Sequence, residues 1–417
     1  MRQSNFAMMM LAAAVVTGCG GNGSTGGSQT LQLKFTSQVS FGDSLSDVGS
    51  YAVGTVKALG GGKYTVNDVG TDGTNASKNW TELMAAQFGL AAPCAAQTGL
   101  DGLASQGFSV PVTNHAGCTG YAMGGARVTN PVGPGNKLLG GSNAVLGQLT
   151  VPVVTQIQNH LTAVGGSFSG KEIVFVMAGG NDALIGLAGL SAGATAAATA
   201  AVTAAVPGQI ATDIAAGTCT PTDAQATNCQ AAAVAKLTPT VGATAAGNYV
   251  QTNAPLAVAA MGTAGTELAT MIKAQIVGKG ANYVTVVNLP DLSTTPYALS
   301  QTASTQALVK SMVNTFNDQL KAGLTSEPKV LLVDAYSVSR DQSTNPTPYG
   351  LTNTTTPACD LTPAKNALGV SLVCNKSNVI AGDVSHYMFA DTVHPTPYAN
   401  LLLARYVSEK MAEKGWL

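Results

Sequence analysis

The feature that most constrains this chain is a set of short apolar runs separated by long helix-compatible stretches: Val39 to Phe41, Ile173 to Met177, Tyr283 to Val287 and Val330 to Val333. Runs of this length are strand-sized. Their alternation with helical stretches predicts an α/β fold of three layers, α/β/α, with a mainly parallel central sheet and helices on both faces. Val39 to Phe41 reads as the first strand and Ile173 to Met177 as a central, buried one. Pro397 to Lys414 reads as a terminal helix, with Leu401, Leu402, Ala404, Tyr406 and Val407 as its apolar stripe. Open parallel sheets carry their sites beyond the C-terminal ends of strands, so the residues after each run matter most.

Val39 to Phe41 leads into Gly42-Asp43-Ser44-Leu45, and Ile173 to Met177 leads to Gly179-Gly180-Asn181-Asp182. The first delivers a serine. A serine hydroxyl is a weak nucleophile and needs a base, together with donors already in place for the oxyanion it creates. Asp391-Thr392-Val393-His394 puts a carboxylate three residues before a histidine, and Met123 to Arg127 is a second glycine-rich segment. Each motif alone is ordinary, because Gly-Asp-Ser and Gly-Gly-Asn-Asp are also turn compositions. Their joint occurrence, two of them after strand-like runs, favours a site. Of the 4 histidines, His115 lies between two cysteines and His160 on a helical stretch, and both read as structural. His386, in an aromatic setting, is the rival of His394 and reads as part of the pocket wall.

The four blocks, in this order, resemble the GDSL esterases and lipases, also called SGNH hydrolases for their Ser, Gly, Asn and His. The resemblance runs from about residue 37 to the end, apart from the Ala-rich stretch described below, and implies the flavodoxin-like fold of that family. It implies that Ser44 is the nucleophile, His394 the general base and Asp391 the carboxylate that orients it. The oxyanion hole would be the N–H groups of Ser44 and Gly125 with the side-chain amide of Asn181. Pro395 follows the histidine as it usually does in the family, whereas Ser50 stands where many longer members have Asn. The implied substrate is a carboxylic ester, with no cofactor.

Residues 1–18 carry one positive charge, Arg2, and an apolar stretch from Phe6 to Val16. They read as a signal peptide. Val16-Thr17-Gly18-Cys19 is similar to a bacterial lipoprotein cleavage box in which Cys19 is acylated, and residues 19–36 would form a flexible tether ahead of a hydrolase domain at 37–417. The expectation is an exported lipoprotein at the outer membrane or cell surface, held to the membrane by its N-terminal lipid; secretion and the periplasm stay open. Setting Cys19 aside leaves six of the 7 cysteines. Six allow 15 pairings. Proximity favours Cys94 with Cys118, Cys219 with Cys229, and Cys359 with Cys374, in an oxidising compartment. No cysteine and histidine spacing suits a metal, and none is expected. A net charge of −1 with 10% charged residues gives no reason to expect nucleic acid, and fits a partner ester with an apolar acyl group.

Residues 185–265 are rich in Ala, Thr and Gly and hold only Asp213, Asp223 and Lys236 as charged residues. They read as a helical insert that lies over the site as a lid or pocket wall, divided by Pro207 and the Cys219 to Cys229 loop into two hairpin-like parts; a spacer without a catalytic role is the competing reading. If helical, so uncharged an insert is expected to bury much of its surface against the catalytic domain, an apolar ligand or a membrane. Asn67 to Asn114 reads as a second pocket wall, with a helix from Trp80 to Phe88 whose tryptophan packs in the core. Beside an ester hydrolase, the same residues would serve an acyltransferase, and a non-catalytic surface lipoprotein is a third alternative that intact Ser44, Asn181, Asp391 and His394 argue against.

Overall fold

The computed structural model describes residues 33–67, 77–220 and 223–417. The expected signal peptide, Cys19 and all but the end of the tether lie outside the described residues. The strands are β1 (Gln38–Gly42), β2 (Gln97–Asp101), β3 (Ser109–Asn114), β4 (Ile173–Met177), β5 (Tyr283–Val287) and β6 (Val330–Val333). The helices are α1 (Gly54–Ala58), α2 (Trp80–Gln87), α3 (Gly141–Leu146), α4 (Val153–Ala163), α5 (Gly180–Ala215), α6 (Asp223–Leu237), α7 (Ala243–Met271), α8 (Pro296–Leu299), α9 (Ala303–Leu324), α10 (Ala335–Thr344) and α11 (Pro397–Glu413).

The central sheet is parallel throughout, in the order β1-β4-β5-β6. Each strand therefore steps one place in the same direction. Right-handed crossovers that all advance one way carry their helices to one face, and α4, α5, α7 and α9 pack there. Strand β4 makes the two-sided burial explicit. Val174 and Val176 enter the core with Ile157, Leu268, Val313 and Phe316 of the crossover helices. Ile173, Phe175 and Met177 enter a second core with Trp80 and Met84 of α2 and Val407 and Met411 of α11. This is the three-layer α/β/α arrangement, with period-two alternation deciding which layer each residue joins. Trp80 is fully buried and meets Phe175 edge to face at 5.0 Å. An Ala there would cost about 3–5 kcal/mol.

Two features were not legible as strands. The segment Asn67 to Asn114 holds the antiparallel hairpin β2–β3, whose base is closed by the Cys94–Cys118 disulfide. Residues 119–123 add in extended form along the outer edge of β1, with Ser40 N–H donating to Thr119 O at 3.1 Å, Tyr121 N–H to Ser40 O at 2.8 Å and Met123 N–H to Gly42 O at 3.1 Å. The other two proximity pairs, Cys219–Cys229 and Cys359–Cys374, are also disulfides.

The Ala-rich stretch is helical, but its division differs from expectation. Pro207 lies inside α5 and does not divide it. A proline within a helix forfeits a hydrogen bond and crowds the preceding turn. Packing on both sides of it holds the helix together, because Val202 and Val206 before it and Ile210 after it share a small core with Ala233 and Leu237 of α6. A π-helical turn, Thr238–Gly242, then joins α6 to α7. The helices also outrun the expected limits, starting at Gly180 and ending at Met271. Only 17% of the long apolar stretch of α5 is buried within the protein, so burial against the catalytic domain is slight.

His160 of α4 is structural, as expected. It lies 3% exposed among Phe41, Tyr121 and Phe168, and its Nδ1 has no partner among the described residues. Burial lowers its pKa from 6.5 to about 4, against the opposing charge of Glu172. Between those values the unfolded chain takes up a proton that the folded one refuses, so stability is lost as pH falls from 6.5 towards 4. His160→Phe removes that loss. Melting temperatures at pH 7.5 and 4.5 should show the variant gaining on the wild type at the lower pH; a gap that does not change with pH would refute this account.

Candidate active site

Gly42 ends β1 at φ +151°, and a Cβ there would stand 2.1 Å from Met177 O, so only glycine permits the close passage of β1 against β4. The buried Gln156 fixes this junction by accepting Gly42 N–H at 2.9 Å and donating to Gly42 O at 2.8 Å. The chain then turns, and Ser44 emerges beyond the strand.

From the far end of the sequence, the loop between α10 and α11 brings His394 to meet it. His394 Nε2 lies 2.8 Å from Ser44 Oγ, and Nδ1 lies 2.8 and 3.0 Å from the two oxygens of Asp391. The carboxylate can only accept, so Nδ1 carries the proton and Nε2 presents a lone pair to the serine hydroxyl. Asp391 is buried and also accepts the N–H groups of Ser371, Val393 and His394, each at 2.8 Å. Burial alone would push this carboxyl up, but the His394 charge and these hydrogen bonds outweigh it and hold it well below the usual carboxylate range. Tyr64 covers the outer face of His394, ring centroids 4.7 Å apart.

Gly125 arrives on the segment that pairs with β1. Its φ is +76°, and a Cβ would stand 2.2 Å from Pro134 O, which excludes other residues. Its neighbour Gly124 donates its N–H to Asp47 Oδ2 at 2.9 Å. The same Asp47 carboxylate accepts the N–H groups of Gly49 and Ser50 and the Ser50 hydroxyl. Ser50, the departure from the usual Asn, thus helps tie the first loop to the second. Among the described residues the N–H groups of Ser44 and Gly125 have no acceptor. Asn181 sits in the first turn of α5, and its Nδ2 donates to Ala126 O at 2.8 Å, which uses one of its two amide hydrogens and leaves the other. The next residue, Asp182, binds Arg127 Nε at 2.9 Å and Val128 N–H at 3.1 Å, locking the glycine segment to α5.

Ser44, Gly125, Asn181 and His394 line one cavity of about 670 Å³. Much of its wall is apolar, including Leu59, Phe108, Leu146, Leu289, Leu368 and Val393. Phe108 comes from the segment expected as a second pocket wall, but residues 134–148 and 367–370 were not anticipated. No residue of 185–265 lines this cavity, where α5 contributes Gly180, Asn181 and Leu184, so the lid or pocket-wall reading of the insert does not hold. The helix leaves the site along its axis and packs on α7, which packs on α9.

His386 is not in the cavity wall. Asp383 stands three residues before it, the spacing of Asp391 and His394, so spacing does not separate the two histidines. Geometry does: His386 stacks on Tyr398 at 4.1 Å, with Nδ1 2.8 Å from Gly350 O. His115 contacts Thr98 Oγ1 at 2.8 Å, away from the cavity. Tyr64, Gln156 and Ser371 had no local sequence signal, because their partners lie far along the chain.

With this geometry in hand, comparison with known proteins points one way. The chain is 32% identical over 146 residues to the GDSL esterase/lipase APG of Arabidopsis thaliana, covering 32% of this chain and 40% of that protein. A second GDSL esterase/lipase of that plant is 34% identical over 77 residues, or 18% of this chain and 20% of that protein, and a third 27% identical over 148, or 32% and 40%. The likeness is to GDSL esterases and lipases. It supports ester-hydrolase function at the level of that family, while the chain matches at most 40% of the length of these relatives. No protein-family model matches the chain.

Asp43, next to Ser44, was not anticipated as a titrating group. Burial raises its pKa from 3.8 to about 7, against the Leu45 N–H that it accepts and the charge of His394, and with the help of Asp182. Between those values the folded protein holds a proton that the unfolded chain has released, so stability falls as pH rises from 3.8 to 7. Asp43→Asn keeps the acceptor for Leu45 N–H and fixes the neutral form. Denaturant midpoints should show the variant gaining on the wild type between pH 5 and pH 8. An unchanged or shrinking difference would mean that Asp43 does not titrate there.

Proposed function

We propose that this protein is a carboxylic ester hydrolase of the GDSL type. The observation that carries the reading is the 2.8 Å contact of His394 Nε2 with Ser44 Oγ, backed by Asp391, at the wall of a largely apolar cavity. In this reading Ser44 Oγ attacks the ester carbonyl as His394 Nε2 takes its proton. The oxyanion is received by the N–H groups of Ser44 and Gly125 and the free amide hydrogen of Asn181. His394 then gives its proton to the leaving alkoxide, and the alcohol departs from an acyl-Ser44. Water, deprotonated by His394, attacks the acyl-enzyme and releases the acid, restoring Ser44. Asp391 holds the imidazole in the required tautomer and stabilises the imidazolium without itself taking a proton.

Ser44→Ala is expected to lower kcat for 4-nitrophenyl esters by roughly 10⁴ to 10⁶, and a fluorophosphonate should label Ser44 alone. Asn181→Ala should lower kcat by about 10² to 10³ with little change in KM. Substantial turnover by Ser44→Ala would overturn the assignment of the nucleophile, and a rise in KM at constant kcat would make Asn181 a binding residue.

The N-terminal reading belongs to the same proposal. It comprises a lipoprotein signal at 1–18, acylated Cys19, a tether to residue 36, and a hydrolase domain at 37–417 with its Ala-rich insert at 185–265, in an exported bacterial protein. The support is the Val16-Thr17-Gly18-Cys19 box and the three disulfides, which suit an oxidising compartment. Cys19→Ser should move ester hydrolysis from the membrane fraction to the soluble one. Activity that stays with the membrane would refute the lipid anchor.

A further inference from the structure

Behind the Ser44 and His394 side chains lies a second cavity, of about 90 Å³, at the C-terminal edge of the sheet. Its wall includes Met177, Ala335, Val338, Met388, Phe389 and Leu403. Except for Gln342, the polar side chains in the same wall are already hydrogen-bonded within the protein. Ser339 Oγ donates to Tyr336 O and accepts Asp291 N–H, Thr295 Oγ1 donates to Leu292 O, and Asn400 accepts Trp80 N–H and donates to Thr396 O. Apart from the Gln342 amide, what the chamber offers a guest is therefore apolar contact.

The two cavities share Leu45, Pro290, Leu292 and Val393 as walls. A third, smaller recess, walled by Leu184, Leu187 and Val309 among others, also abuts Leu292 and Val393. The partition is thus made of side chains, and it flanks both reacting groups: Leu45 follows Ser44, and Val393 precedes His394. Apart from Pro290 these are aliphatic side chains that can change rotamer without moving the backbone. The outer wall of the main cavity differs in character, adding Thr55, Gln106, Ser142, Asn143 and Gln148 to its apolar residues.

We propose that the acyl chain of an ester bound at Ser44 passes the Leu45–Leu292–Val393 partition into the rear apolar chamber, while its alcohol part faces the polar groups of the outer wall. This rests on the ester-hydrolase reading and narrows it. The substrate class is an ester of a linear apolar acid with a polar, hydrogen-bonding alcohol, and Leu292 and Val338 determine chain length. These two side chains act by setting how much of the acyl chain leaves water.

The test is kcat/KM for 4-nitrophenyl esters from acetate to dodecanoate, with the full-length protein. In the wild type each methylene that enters the chamber should raise kcat/KM by up to about fourfold, the factor for burying one CH₂. Leu292→Trp narrows the passage, and Val338→Phe fills the chamber from α10 without approaching Ser44. Each should lower the ratio of long-chain to acetyl hydrolysis by about tenfold or more. Val338→Phe carries the test alone if Leu292→Trp does not melt cooperatively. A ratio untouched by Val338→Phe, or one moved instead by Phe108→Ala or Leu368→Ala, would place the acyl chain along the outer wall and overturn the proposal. The two readings fail differently. A protein that hydrolyses none of these esters and whose Ser44 resists a fluorophosphonate contradicts the hydrolase itself, whereas active, labelled protein with a flat ratio contradicts only the rear chamber.

Discussion

The close parallel passage of β1 along β4 is the constraint on which the rest depends. Gly42 stands opposite Met177 in the register, and the absence of a Cβ at Gly42 is what lets the two backbones approach. From that point both strands end together, and their loops open on the same side. Ser44 and Asn181 come from these two loops. The extended segment 119–123 then uses the free edge of β1, since an unpaired strand edge is a row of donors and acceptors, and carries Gly125 to the same place. Three of the four motifs are therefore assembled by backbone hydrogen bonding of one strand, and Gln156 secures its end.

The fourth motif is held by different means. His394 belongs to a long connection between α10 and α11 that contains little regular structure. Order there comes from the Cys359–Cys374 disulfide, whose 15-residue separation corresponds to about 3 kcal/mol in the chain-entropy picture. Ser371, inside that loop, donates its N–H to Asp391. Thr65 donates its hydroxyl to Pro395 O, beside the ring of Tyr64 on His394. His394 is thus positioned by a covalent clip and by residues more than 300 positions away, whereas Ser44 is positioned by its own strand.

The Ala-rich helices show how a long insertion can begin at a site without covering it. Helix α5 begins at Gly180 and runs away from the cavity, so Asn181 is braced in the first turn of a long element. Its Thr195, Thr199 and Thr203 hydroxyls bond the carbonyls four residues before them, which leaves a low-charge surface with few unsatisfied donors. Uncharged composition did not indicate burial against the catalytic domain, and the helix propensity of Ala is sufficient reason for its abundance.

Strand identity, the two-sided burial of β4 and the terminal helix were legible because each depends on neighbours within a few residues. The four motifs were legible because residue type and order carry the chemistry of a serine nucleophile. Local cysteine spacing likewise indicated the three disulfide pairs. Composition gave no sign that Pro207 would sit within one helix, since the packing of Val202, Val206 and Ile210 on α6 that spans it is a long-range matter. Nor did it separate His386 from His394, both of which follow an Asp at the same spacing. The choice between them, the burial that raises Asp43, and the walls of the cavity all arise from groups distant in sequence. Hydrogen-bond distance and removal from water are properties of the packed chain, and only tertiary structure decides which residues acquire them.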